Sequence, residues 1–562
     1  MEEIEVNGHT IYKSDTTPEN KYRPELSVLL KQTFGDGPYQ DHDKVREAVT
    51  FSYNYYCDKF LGVCHSETSI RFYQLVLSQH EQTIPIALFL APGKYPEGLT
   101  KEYVAQYRRI LKWILEQGCD VKLTNNERTD HTFLARAKAV LNELVFLGEM
   151  ILTCANLYAE QDMIEDVCEV LFDAKGLYLM KHKHHYDHVI EKIQASYGGL
   201  SVKHVVDKDP VDDLKTAMEK CFGIKYEHLV SVIYAIHEHN SSKGGQYVGF
   251  EFESLPMSVK SMFGQDPDQA RILFNGLTLS SENKLRLHDA ACRPQTMFRY
   301  MYRPITIWNI DGKDYAVIGK NALTECVIQL TTNCIPWGKA PLEWLKNACF
   351  KEYVHSKEDA HDQWLDDEVE RRIAKEGLRY YRHLTSITSP TGDISLNQPN
   401  VGEIDFLIIN HVEKTIYVTD CKHLQGRYDM MSQRSDYDNF TKPTGYNRQV
   451  KNKVDFITAN IESLNLHNKK KYGTAEPDIV GYEVRGMFII NTPTFYMFNS
   501  DYRIYTVDVF AEAIMKRLTD PELTLIVEDE MQTRAITIKY PYFRKPNYSL
   551  IDPLQTGKEL SE

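Results

Sequence analysis

Apolar positions recur at helical spacing through about the first 270 residues. Leu26 to Phe34 shows this spacing, and so does Glu102 to Gln117, which places Val104, Tyr107, Ile110, Leu111 and Ile114 on one stripe. Gly118 follows as an expected C-terminal cap. Longer amphipathic patterns run from His131 to Glu160 and from Met163 to Phe172. Another runs from Lys225 to His237 and is stopped by Asn240 through Gly245.

The pattern changes near Arg303-Pro304. Pro304 to Ile310, then Asp311-Gly312, then Tyr315 to Ile318 predicts a hairpin. Helix is expected again from Pro341 to Val354. His355 to Asp367 is charged and reads as a linker or as the first turns of a longer helix. From there to Leu518 the order is helix, strands, helix, strand. Leu523 to Val527 and Ala535 to Ile538 read as late strands. The expected organisation is multidomain. A mainly helical region (1–300) would serve sensing, recruitment or oligomerisation. A hairpin and helix connector (301–358), an α/β domain with a mixed central sheet flanked by helices (359–520) and a tail (521–562) would follow.

A chain of 562 residues exceeds one ordinary core. With 42% hydrophobic and 26% charged residues it reads as a globular protein. The net charge of -14 argues against a surface coated in basic side chains, but not against a local basic groove. The acidic start Met1-Glu2-Glu3 lacks an export signal, and the most apolar stretch, Val140 to Tyr158, is interrupted by Glu143, Glu149 and Asn156. The 11 cysteines contain no CxxC pair and read as reduced thiols of a cytoplasmic protein.

The chemistry concentrates in two adjacent strands. Gly402-Glu403-Ile404-Asp405 leads into the apolar run Phe406 to Ile409; after a turn, Thr415 to Cys421 forms a second strand closing in Asp420-Cys421-Lys422. A hairpin would bring Asp405 and Asp420 to one end of the sheet. Strand alternation puts Asp420 and Lys422 on one face and Cys421 on the other. The triplet alone carries little, since Asp120-Val121-Lys122 and Asp311-Gly312-Lys313 share it; its strand context sets it apart. Two carboxylates suit Mg²⁺, which takes oxygen ligands. A lysine whose pKa falls on burial would suit base chemistry.

These residues resemble the PD-(D/E)xK nuclease superfamily, in particular its NERD-like and restriction-endonuclease-like members. The resemblance covers about residues 360 to 520. It implies a helix-borne acid, matched by Glu370 in Glu370-Arg371-Arg372-Ile373, with Asp366 as the alternative. It implies a glutamine on the helix after the second strand, matched by Gln449, and a further core strand, matched by Val484 to Asn491. Glu370, Asp405 and Asp420 would then hold Mg²⁺ or Mn²⁺, with Lys422 and Gln449 completing the catalytic set. The implied activity is endonucleolytic hydrolysis of nucleic acid, DNA in preference to RNA, by analogy in defence against phage or foreign DNA. Double-strand cutting implies at least a homodimer. A partner protein or regulatory ligand would act through the N-terminal region. An inactive nuclease fold that binds nucleic acid or protein is the alternative.

Basic side chains follow the second strand: Arg427, Arg434 and Lys442, then Arg448, Lys451 and Lys453 on the next helix, among Tyr428, Tyr437, Phe440 and Tyr446. Such interleaving suits a phosphate backbone and stacked bases as well as it suits a solvated loop. Lys181 to His188 is histidine-dense but lacks the glutamate of a His-Glu-x-x-His site, and Gly319-Lys320-Asn321 lacks the spacing of a phosphate-binding loop.

Overall fold

Two compact units divide the chain. One comprises Met1–Tyr158, Cys168–Lys181 and Val206–Glu358; the other comprises Ala159–Val167, His182–Val205 and Asp359–Glu562. The computed structural model describes residues 1–90, 95–96, 98–126, 130–164, 167–183, 209–242, 249–293, 295–427, 429–498, 500–517, 522–529 and 532–539. They are mixed helix and sheet. Most of the histidine-dense run and Tyr428 lie outside the described residues.

The first unit is largely helical. Its helices include Thr16–Phe34, His42–Ser66, Ile70–Phe89 and Lys101–Gln117, and the side chains of Asp15, Asp41 and Thr100 accept backbone N–H bonds at three of the N-termini. The helix His131–Met163 is long and apolar enough to cross a membrane by length and composition, yet 67% of its most apolar window is buried in the protein. The hairpin Ile305–Ile310 and Lys313–Val317 forms where expected, with Asp311 and Gly312 at positive φ. It is no connector, however. It pairs with Lys122–Leu123, Thr278–Leu279 and Gly249–Phe250 and so belongs to this unit's sheet.

Gly118 caps its helix as expected, its N–H donating to the carbonyls of Ile114 and Glu116; its backbone is right-handed, and a Cβ there would lie 2.9 Å from Tyr73. His355 to Asp367 takes the helical alternative, inside Ala348–Lys375. Two further expectations are corrected. Met163 to Phe172 is not one helix: Cys168–Phe172 is a strand, and Val170 bridges to Tyr39, a tertiary pairing that overrides local periodicity. Cys221 and Cys349 are disulfide-bonded across 128 residues, and the other nine cysteines are free. That pairing leaves no spacing signature.

The second unit is built on a five-stranded sheet. Helix α1 (Ala348–Lys375), of which Asp359 onward belongs here, precedes strands β1 (Arg379–Leu384), β2 (Ile404–Asn410) and β3 (Thr415–Lys422). Helices α2 (Met430–Thr441), α3 (Tyr446–Ala459) and α4 (Ile461–Tyr472) lead to β4 (Glu483–Ile490) and β5 (Arg503–Thr506). The expected single helix beyond Gly445 breaks at Asn460. The sheet order is β1-β2-β3-β4-β5. The first three strands form an antiparallel meander; β4 and β5 run parallel to β3. A parallel return needs a crossover, which α2 to α4 supply.

Both faces of the sheet are covered, which accounts for the unbroken apolar run Phe406 to Ile409. Phe406, Ile408, Tyr417 and Met487 pack with Leu365, Val369 and Ile373 of α1. Leu407, Ile409, Ile416 and Val418 pack with Ile457 of α3 and Leu464 of α4. Helix α3 lies so close to β4 that a Cβ on Gly486 would meet Val450 at 2.5 Å. Between β1 and β2, the stretch from Pro390 to Asn400 supplies part of a small hairpin, Ser386–Ser389 with Gly392–Ser395. In the tail, Glu522–Asp529 and Gln532–Lys539 pair as antiparallel strands, where late strands were expected.

Candidate active site

Asp405 sits at the start of β2 and Asp420 near the end of β3, so the antiparallel meander brings them to one end of the sheet. Alternation places Asp405 on the same side as Leu407 and Ile409, and Asp420 on the same side as Val418 and Ile416. This is the side packed by α3. Asp405 Oδ2 accepts the backbone N–H of Cys421 at 2.7 Å. Cys421 itself points the other way, into the cluster packed by α1.

Asp420 is 1% exposed, a depth at which a carboxylate must be compensated. Two lysines do this. Lys453, from α3 and also buried, donates to Oδ1 at 2.7 Å. Lys422 Nζ lies 2.8 Å from Oδ2, but Oδ2 makes no hydrogen bond. The Tyr446 ring holds the Lys422 ammonium 4.8 Å from its centroid, and Phe440 packs edge-on against that ring. Tyr446, Val450 and Lys453 fall on one stripe of α3, with Gln449 beside them. Gln449 is solvent-exposed.

The electrostatics separate the two acids. Burial, followed by the Asp420 charge, raises Asp405 to about 7. Burial also pushes Asp420 up, but Lys422 and Lys453 outweigh it and hold Asp420 below its ordinary value. For Lys422 burial pulls down, while Asp420 and Asp405 pull up harder, so its pKa is raised. The sequence-based expectation of a lysine base is thereby reversed: Lys422 remains an ammonium. Asp405, pushed up by burial and by its neighbour's charge, is the more readily protonated of the two acids.

Glu370 is held elsewhere. Its oxygens accept from Tyr380 Oη and from Arg382 Nη1, each at 2.7 Å, and Tyr380 and Arg382 keep it ionised below its ordinary range. Asp366, one turn earlier on α1, pairs with His383 at 3.3 Å and faces the Cys421 thiol; burial raises its pKa. Among the described residues, no three of Asp366, Glu370, Asp405 and Asp420 bring ligand atoms within 4.8 Å of one another. The acids brought together are Asp405 and Asp420. An oxygen-preferring cation suits them, because the Asp420 charge pushes Asp405 up and a dication would relieve that repulsion, drawing Lys422 off Asp420 Oδ2 as it bound.

The basic residues divide into two kinds. Arg427 is ion-paired with buried Asp436 at 2.9 Å, and Arg434 with Asp162 at 2.6 Å. Arg427 in the loop and Arg434 on α2 are thus engaged by carboxylates of the protein itself, unlike the exposed cations that follow. Lys442 and Arg448 are exposed, and Lys451 is exposed with an i,i+4 partner in Asp455. Lys453, read from the sequence as one of the helix's phosphate-facing cations, is instead buried against Asp420. The signal that was missed is its position seven residues after Tyr446, two helical turns along the same face. No family model, curated protein or solved structure matches the chain.

Proposed function

We propose that the second unit is a metal-dependent endonuclease domain of the PD-(D/E)xK kind, with the restriction-endonuclease-like fold. The observation that carries this reading is the pair of buried Asp420 and half-buried Asp405, with Lys422 beside it, at one end of the sheet. The order of elements supports it: a helix, an antiparallel meander, a helix, then a parallel strand.

Asp405 and Asp420 would hold Mg²⁺ or Mn²⁺, which would supply Lewis-acid stabilisation of the phosphate and activation of water. Lys422, fixed under Tyr446, meets negative charge developing on the phosphate. Lys453 holds Asp420 in place. Asp366 is the helix-borne acid of this reading, since it neighbours Cys421 of β3 while Glu370 pairs with Tyr380 and Arg382 of β1. Lys442, Arg448 and Lys451 offer exposed charge for a nucleic-acid backbone, and Gln449 lies among them.

The substrate in this proposal is DNA in preference to RNA, and a homodimer would cut both strands. A role in defence against foreign DNA, a cytoplasmic setting and a partner or ligand of the first unit complete it. The alternative is a domain that binds without cutting. One observation favours it: Lys453 already neutralises Asp420. Incubation of the full chain with labelled DNA and RNA, in Mg²⁺, Mn²⁺ or EDTA, separates the two. Cleavage that needs metal and is lost in Asp420→Ala and Lys422→Ala supports the enzyme; cleavage retained in either variant defeats the site.

A further inference from the structure

On the opposite side of β3, three other ligand-bearing residues converge. His361 and Asp362 lie on α1, and His423 follows Lys422 directly. The two imidazole rings stack with centroids 3.3 Å apart and planes 14° from parallel. Both Nδ1 atoms lie near one carboxylate oxygen. His361 Nδ1 lies 4.0 Å from Asp362 Oδ1, and His423 Nδ1 lies 3.9 Å from the same atom. All three ligand atoms fall within 4.8 Å of one another.

We propose that His361, Asp362 and His423 form a second metal site, selective for a borderline divalent cation of the zinc class. The spacing supports this. Contacts of 3.9–4.0 Å are too long for direct hydrogen bonds. A tetrahedral ion bonded to each atom at about 2.1 Å would hold them about 3.4 Å apart, so the two spacings to Asp362 need to close by only about half an ångström. The donor set agrees. Two imidazoles and one carboxylate suit zinc and its neighbours, whereas Mg²⁺ takes oxygen.

Exposure agrees as well. The rings are 13% and 7% exposed, while Asp362 is 67% exposed, so the carboxylate opens the site to solvent. Trp364 stands 5.9 Å from the His423 ring and walls the inner side. Three protein ligands leave a fourth position for water. A cation here would tie α1 to the end of β3 one residue beyond Lys422, fixing the helix that carries Asp366. This inference is independent of the nuclease reading, and its readout is binding alone.

The test titrates chelator-treated full-length protein with Zn²⁺, and in parallel with Co²⁺ followed by visible absorption. Wild type is expected to bind one more equivalent of Zn²⁺ than His423→Gln and Asp362→Asn, or to bind it about tenfold or more tightly. Asp405→Asn is expected to retain that equivalent, and excess Mg²⁺ is expected not to displace it. Asp362→Asn changes an exposed side chain, so it reports on ligation without disturbing the core. Wild-type binding in both His423→Gln and Asp362→Asn, or no tight Zn²⁺ on wild type, overturns the proposal.

Discussion

Lys453 Nζ donates to Asp420 Oδ1 at 2.7 Å, and neither residue reaches solvent appreciably. Breaking a buried pair leaves an uncompensated charge. Lys453→Met is therefore expected to lower stability at pH 8 by about 3 kcal/mol. Asp420 is held below its ordinary value, so its contribution is present above about pH 4 and is lost as pH falls through the folded-state value. The deficit of Lys453→Met should shrink in acid, and Asp420→Asn should restore much of it. Urea unfolding of both single variants and the double variant measures the coupling.

Asp405 has the opposite sign. Burial and the Asp420 charge raise it to about 7, above the value of about 3.9 in an unfolded chain. Between these values the folded state holds the extra proton. Its stabilising contribution is full below about pH 4 and is lost as pH rises to 7. Asp405→Asn should accordingly stabilise the metal-free protein at pH 8 and change little at pH 4. Mg²⁺ should raise the melting temperature of wild type more at pH 8 than at pH 5.5, and should not raise that of Asp405→Asn. A Mg²⁺ shift of equal size at both pH values would contradict this reading.

The helix-borne acid can be decided by exchange. With Glu370 engaged by Tyr380 and Arg382, Glu370→Gln should leave metal-dependent cleavage within about threefold of wild type. Asp366→Asn, beside Cys421, should reduce it by about tenfold or more, in the range expected when a group supporting a metal site is lost. Single-turnover rates on a labelled duplex read both, and the reverse ranking would return Glu370 to the site.

The first unit contains its own buried charge cluster. Glu325 accepts from Lys112 at 2.6 Å and from Arg108, and these partners overcome its burial to keep it ionised. Glu325→Gln should cost about 3–5 kcal/mol by leaving two buried cations short of their counter-charge. A loss of unfolding free energy in urea under one quarter of that size would assign the cluster little weight.

Much of the second unit could be read along the chain. The unbroken apolar run after Asp405 marks a strand covered on both faces, and the alternation around Cys421 separates Asp420 and Lys422 from the side packed by α1. What escaped has a common cause. The burial of Lys453, the diversion of Glu370 to Arg382, the strand at Cys168 and the Cys221–Cys349 bond all depend on partners far away in sequence. The direction of the Lys422 pKa was missed for the same reason. Burial alone would lower it, and only the two neighbouring carboxylates reverse the sign.

The most direct test is the rate of phosphodiester cleavage by the full-length chain at pH 8 with and without Mg²⁺, beside Asp420→Asn. The account predicts cleavage that requires Mg²⁺, stops with EDTA and falls by about 100-fold or more in the variant. Cleavage that persists in EDTA, or that Asp420→Asn leaves at the wild-type rate, would contradict it.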